Sequence, residues 1–321
     1  MAELQENTPY DDVFKTQKVE CPRLLIPVIN EAFHKNYDEN VEIIKLEDEI
    51  FLRKQDGYEE KRITDAVMKV KDNQESSERF YHIECQSTKD TSISIRMYEY
   101  DSQIALKDRE WDGRNLKVKF PYSTIIYLRS DNSMGEDIGI RLNTSEDETE
   151  YKIPLIKLKN YTLDMIFEKH LFILLPFWIF TYEDGLKEYE ENKDKRKELT
   201  NNFGIIIRRL QESCENGILD EYTKCMIIDM SKKVVRNLLG DKFPEIKKEV
   251  EIMMGGKVLD FEAKRIKDEG REEGREEGLI SLVNSLKKFL KDIEDIYNIV
   301  VENELYKNVT REQVEKYYYS K

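Results

Sequence analysis

The segment Phe80-Tyr81-His82-Ile83-Glu84-Cys85-Gln86 carries an acid and an amide two positions apart in an otherwise largely apolar run, and Asp65 precedes Glu84 by 19 positions. Side chains alternate across a strand, so Glu84 and Gln86 share one face if this run is extended. Carboxylates brought together from two neighbouring strands can hold a hard divalent cation such as Mg²⁺ or Mn²⁺, which prefers carboxylate, carbonyl and water oxygens. A cation so held, beside a group that orients an attacking water, is the equipment of phosphodiester hydrolysis. The main-chain carbonyl of Cys85 can turn toward the same cation. On alternation alone, the three polar residues equally suit the solvated face of an ordinary hairpin.

The flanking sequence supplies elements that would position this set. Arg62 to Val70 alternates, placing Ile63, Asp65, Val67 and Lys69 on one face of a strand that contains Asp65. The polar run Asp72 to Glu78 predicts a hairpin loop, and Phe80 to Gln86 the returning strand. Leu24 to Phe33 reads as a helix packed on a sheet, with Pro27 tolerated near its start. Val41 to Leu46 and Glu49 to Lys54 are short β-branched or aromatic runs and read as strands. From Thr91 to Arg109, Ile93, Met97, Tyr100, Ile104 and Leu106 recur near the helical period, and Tyr122 to Leu128 is a β-branched strand behind Pro121. Tyr151 to Leu158 is another extended segment, and from Leu163 the pattern is helical nearly to the end. The order of elements is α/β with a helical C-terminal region.

His82-Ile83-Glu84-Cys85-Gln86-Ser87, preceded by Ile63-Thr64-Asp65, resembles the active-site region of the PD-(D/E)XK nuclease superfamily. More narrowly, it is similar to the Rpn family of recombination-promoting nucleases and transposases. Asp12-Val13-Phe14-Lys15, Val28 to Phe33, Arg96 to Asp101, Leu174 to Phe177 and a glycine-spaced acidic helix near residue 270 extend the resemblance over most of the chain, most strongly across residues 10–130. It implies a restriction-endonuclease-like core, a central mixed sheet flanked by helices, over 1–160. A helical extension would cover 161–268, and an acidic helix with a small helical appendage 269–321. It also implies a Mg²⁺-dependent DNA endonuclease in which Asp65 and Glu84 ligate the metal, with Glu31 as an outer ligand. Gln86 stands where the broader superfamily has lysine, and an amide supplies no positive charge to a transition state. Lys69 or Arg96 could supply it; Arg96 equally suits an ion pair with Glu99 or Asp101. The alternative function is a catalytically inactive module that keeps the nuclease fold and binds DNA or protein.

The chain of 321 residues has a net charge of −14, which by itself disfavours a nucleic-acid partner. Residues 1–60 hold 7 Lys and Arg against 15 Asp and Glu, whereas 61–130 hold 13 against 11, so the candidate site lies in the positive part of an acidic protein. Cys21, Cys85, Cys214 and Cys225 show no CxxC spacing, which favours a reducing, cytoplasmic setting over a zinc site or a disulfide framework. The first residues lack a signal-peptide pattern. Leu171 to Phe180 is too short for a membrane span, which needs about 20 apolar residues. His82 shares the face of Glu84 by alternation and reads either as a third metal-proximal group or, more in keeping with the lack of metal-ligand spacing, as a strand-end histidine packed on its neighbours; His34 and His170 carry no signal, and Trp111 and Trp178 read as packing residues. Gly270, Gly274 and Gly278 recur every four residues, a spacing that suits either homo-oligomeric helix contact or a solvated connector. Beyond them, Thr310 and Gln313 form a possible capping box.

Overall fold

The computed structural model describes residues 9–38, 41–46, 49–53, 59–72, 77–130, 133–255, 272, 274–303 and 305–319. Contacts divide the chain into two compact units, Met1–Gly256 and Lys257–Lys321.

The first unit is α/β. Two helices, α1 (Pro9–Glu20) and α2 (Ile26–Phe33), lead into strands β1 (Glu42–Lys45), β2 (Glu49–Arg53), β3 (Glu59–Ile63), β4 (Ala66–Asp72) and β5 (Ser77–Gln86). Pro27 sits in the first turn of α2, where its missing N–H costs no helical hydrogen bond. Helix α3 (Ile93–Lys107) then crosses to β8 (Tyr122–Tyr127) by way of a small hairpin, β6 (Glu110–Asp112) and β7 (Asn115–Lys117); β9 (Asp137–Asn143) and β10 (Glu148–Lys157) follow. Among the described residues the strands form one six-stranded sheet, ordered β1-β4-β5-β8-β10-β9, and the separate pairs β2-β3 and β6-β7. In the large sheet β4 and β5 are antiparallel, β5, β8 and β10 are parallel, and β9 closes the far edge antiparallel. A parallel connection needs a crossover, and α3 provides it between β5 and β8.

Helix α3 covers the sheet face that bears Val67, Phe80, Ile125 and Tyr127, burying them with Met97, Tyr100 and Ile104. The opposite face presents Tyr81 and Tyr122, whose rings meet Phe33 of α2 at 5.6 and 5.4 Å. The strand expected to run from Arg62 through Val70 is broken: β3 ends at Ile63 and pairs with β2, and β4 begins at Ala66 in the large sheet. Asp65 therefore occupies a bend between two strands that belong to different sheets.

The rest of the unit is helical: α4 (Leu163–Glu168), α5 (Leu186–Glu191), α6 (Lys193–Glu215), α7 (Glu221–Leu239) and α8 (Pro244–Met253). Leu171–Phe180, expected as a buried helix or helix–turn, lies in a 3-10 segment (Phe172–Gly185) whose residues through Phe180 are all buried. Thr162, Asn192 and Asp220 cap α4, α6 and α7 by accepting hydrogen bonds from main-chain N–H groups of the first turn. No described helix is long and apolar enough to cross a membrane.

The second unit contains α9 (274–286), α10 (Ile293–Glu302) and α11 (Arg311–Tyr319), packed through Leu279, Val283, Ile296, Val300 and Val314. The capping box at α11 is present: Thr310 N–H donates to Gln313 Oε1 at 2.9 Å, and Gln313 N–H to Thr310 Oγ1 at 3.3 Å. The two described glycines of the stripe differ. A Cβ on Gly278 would come 2.5 Å from Tyr306 Oη, whereas one on Gly274 would meet nothing within 4 Å.

Candidate active site

Register brings the two acids together. Ala66 pairs with Ile83, so the next position of the antiparallel ladder sets Asp65 opposite Glu84, on the face that α3 covers. The regular ladder stops there, and side chains continue it. Glu84 Oε1 accepts a hydrogen bond from Asp65 N–H at 3.0 Å, and Asp65 Oδ2 accepts one from Cys85 N–H at 2.9 Å. Each carboxylate takes the place of a missing main-chain acceptor, which is the physical reason that the chain can bend at Asp65 without orphaning two buried donors. Asp65 is 7% and Glu84 3% exposed.

The main chain of β5 fixes a third oxygen. Gln86 C=O accepts from Leu128 N–H at 2.9 Å, on the β8 side, whereas Cys85 N–H points to Asp65. The N–H and C=O of one strand residue project to the same side, so the Cys85 carbonyl faces the β4 side, beyond the end of the β4–β5 ladder. The Cys85 side chain turns into the opposite, buried face. Gln86 shares the face of Glu84, and its half-buried amide makes no hydrogen bond among the described residues.

Two adjacent buried carboxylates resist being charged together. Burial, and then the charge of Glu84, push the Asp65 carboxyl up to about 7, against the Cys85 hydrogen bond and the Lys15 charge. Burial opposes the charge of Glu84 as well, but the His82 hydrogen bond and charge, the Asp65 N–H and the Arg96 charge outweigh it and hold that carboxyl below its usual range. His82 is fully buried between two acids, with Nδ1 2.8 Å from Asp101 Oδ1 and Nε2 3.0 Å from Glu84 Oε1. Burial works against its charge, yet the hydrogen bonds and charges of Asp101 and Glu84 push its pKa up to about 10. The expectation of a packed histidine thus holds for its burial and misses its partners.

Of the cations expected to stand in for lysine, neither meets Asp65. Lys69 pairs with Glu78 at 2.7 Å and lies over the Phe80 ring. Arg96 pairs with Asp90 at 3.1 Å, and its charge reaches Glu84. The ammonium beside Asp65 is that of Lys15, 3.5 Å from Oδ1 and carried by α1, fifty positions upstream. Glu31 does not join the pair: its carboxylate accepts from Tyr161 Oη at 3.0 Å and Lys169 Nζ at 2.6 Å. Arg129, unremarked in the sequence, forks onto Glu183 and donates to the Ser87 carbonyl at 3.2 Å, anchoring the chain just after Gln86. Trp178 is buried as expected, but Trp111 is 67% exposed on the β6–β7 hairpin, where packing was expected.

Among the described residues, no set of three or more His, Cys, Asp or Glu side chains is arranged to hold a metal. Mg²⁺ commonly takes one or two carboxylates and completes its shell with water and substrate oxygens, so the pair, with the Cys85 carbonyl, is a donor set of the right chemistry. A cavity of about 300 Å³ lies elsewhere in the unit, walled by Cys21, Arg23, His170, Phe172 and Tyr222 among others, and includes none of these donors. No family model, no curated protein and no solved structure matches the chain.

Proposed function

We propose that the protein is a Mg²⁺-dependent DNA endonuclease of the recombination-promoting type, with Asp65 and Glu84 as its metal-holding acids on a restriction-endonuclease-like core. One observation carries this reading: two buried carboxylates, one on β5 and one in the bend before β4, meet at the end of a ladder. The order α2, β1, β4, β5, α3, β8, with an antiparallel pair followed by a helical crossover to a parallel strand, is compatible with that core. The proposed metal ligands are Asp65, Glu84 and the Cys85 carbonyl; the bound cation would polarise a phosphodiester and lower the pKa of water.

The remaining roles belong to the chain. Lys15 places a fixed positive charge at the acids, where an incoming phosphate gathers negative charge, so it fills the part that Gln86 cannot. Gln86 offers two N–H donors and one carbonyl oxygen, enough to orient a water or a phosphate oxygen on the Glu84 face. A cation held here would displace the proton of Asp65, which would tie metal affinity to pH. Glu31, bound to Tyr161 and Lys169, has no part in this scheme.

A second reading has its own support. Glu84 Oε1 is already satisfied by a buried His82, an internal cation that offsets the need for a metal, and the chain is acidic overall. On that reading the fold serves as a non-catalytic DNA- or protein-binding module. Incubating supercoiled plasmid with the protein, with and without Mg²⁺, separates the two. Metal-dependent nicking lost in Asp65→Ala and Glu84→Ala supports the enzyme. Retention of DNA without cleavage in either metal condition supports the module.

A further inference from the structure

We propose that Asp101, His82 and Ser123 form a buried positioning chain that fixes Glu84 so that one chosen oxygen, Oε2, faces a divalent cation; this rests on the metal-site reading above. The chain spans three elements. His82 lies on β5 two positions before Glu84, Ser123 is its register partner on β8, and Asp101 descends from α3 between them. Ser123 Oγ donates to Asp101 Oδ1 at 2.7 Å, the same oxygen that meets His82 Nδ1 at 2.8 Å. Nε2 of His82 then meets Glu84 Oε1 at 3.0 Å. His82, Asp101 and Ser123 are all at least nine-tenths buried, and the Tyr100 ring stands edge-on to the imidazole at 5.8 Å.

A carboxylate that rotates freely presents either oxygen. Here the hydrogen bonds of Glu84 among the described residues, from Asp65 N–H and His82, both fall on Oε1. Two donors on one oxygen fix the plane of the carboxylate and leave the other oxygen open. Simple packing would not call for this arrangement, because burying an acid–base–acid run in a core is costly and an apolar side chain of similar volume fills the space at least as well. Asp101 makes the point more sharply. Its Oδ2 is buried with no hydrogen-bond partner, so the carboxylate is retained for what Oδ1 holds. An outer partner that orients a metal-ligating group is typically worth about 10- to 100-fold in metal affinity.

Mn²⁺ binding to the full chain, read from the loss of the free-ion electron paramagnetic resonance signal, tests this without any assay of activity. His82→Leu should weaken Mn²⁺ binding about 10- to 100-fold. His82→Gln, which restores an N–H donor toward Glu84, should recover most of that loss, and Asp101→Asn should fall between them with an unchanged melting curve. A folded His82→Leu protein that binds Mn²⁺ like wild type, while Glu84→Gln loses it, overturns the positioning chain and leaves the metal site standing. If His82→Leu fails to fold, wild-type affinity in Asp101→Asn overturns it instead. Failure of the wild type itself to bind Mn²⁺ sinks the metal-site reading, and the inference with it.

Discussion

Replacing Asp65 by Asn keeps the side chain's shape and removes one charge from a buried pair, so it should stabilise the metal-free protein. The Asp65 carboxyl stands at about 7 rather than 3.8 because burial and the Glu84 charge penalise its ionised form. A folded-state value above the unfolded one means that the native protein holds this proton longer. Wild-type stability therefore falls as pH rises from about 4 to about 7 and is flat in this respect above that range. At 1.36 kcal/mol per unit, the full shift is worth about 4 kcal/mol. The proton is shared with a coupled neighbour, so roughly 1–3 kcal/mol is the expected gain, or about 2–10 °C in melting temperature for a unit of this size. Calorimetric melts in EDTA at pH 8.5 should show it, and the gap between the two proteins should narrow as pH falls and close only near pH 4. Adding Mg²⁺ at pH 8.5 should raise the wild-type melting temperature and leave Asp65→Asn almost unmoved. A variant that melts below wild type at pH 8.5 would refute the reasoning: Asp65 would then be a stabilising partner of Lys15, not the strained member of an acid pair.

Lys15→Met should lower kcat for plasmid nicking by about 100-fold with KM changed less than about threefold, because a charge that acts on the transition state is lost. Lys15→Arg, assayed alongside, should retain most of the rate. His82 has a folded-state pKa raised above its unfolded value, so its contribution is complete below pH 6.5 and is lost as pH rises toward about 10. Urea titrations between pH 7 and 10 should show that decline, and His82→Leu should flatten it. In the C-terminal unit, Gly274→Ala meets open space and should gain about 1 kcal/mol of helix stability, seen as roughly fivefold slower hydrogen exchange at 279–283. Gly278→Ala should speed that exchange, since its methyl runs into Tyr306.

The sheet core was legible where one strand carries its own signal. Glu84 and Gln86 sit on one face of β5 because alternation is local, and α3 follows from its helical spacing. The bend at Asp65 was not legible. Arg62 to Val70 alternates without interruption, and the break arises from hydrogen bonds to Glu84 and Cys85, nearly twenty positions away. Lys15 reads as an ordinary helical cation, since nothing near it says which acid it will meet. The surroundings of Glu31 were hidden for the same reason: its partners, Tyr161 and Lys169, lie 130 and 138 positions downstream. The β6–β7 hairpin did carry a usable sign, the glycine of Gly113-Arg114, with Gly113 at φ 63° as the first residue of a two-residue turn. It was hidden by the polar residues around it.

The central claim is that Asp65 and Glu84 hold one divalent cation for DNA cleavage. Its most direct test is nicking of supercoiled plasmid at pH 8 by wild type, Asp65→Ala and Glu84→Ala, with Mg²⁺ titrated from zero. Cleavage that rises with Mg²⁺ in the wild type and drops by at least about 100-fold in both variants is the predicted result. Wild-type protein that stays inert at every Mg²⁺ concentration, or cleavage that persists in either alanine variant, would contradict it.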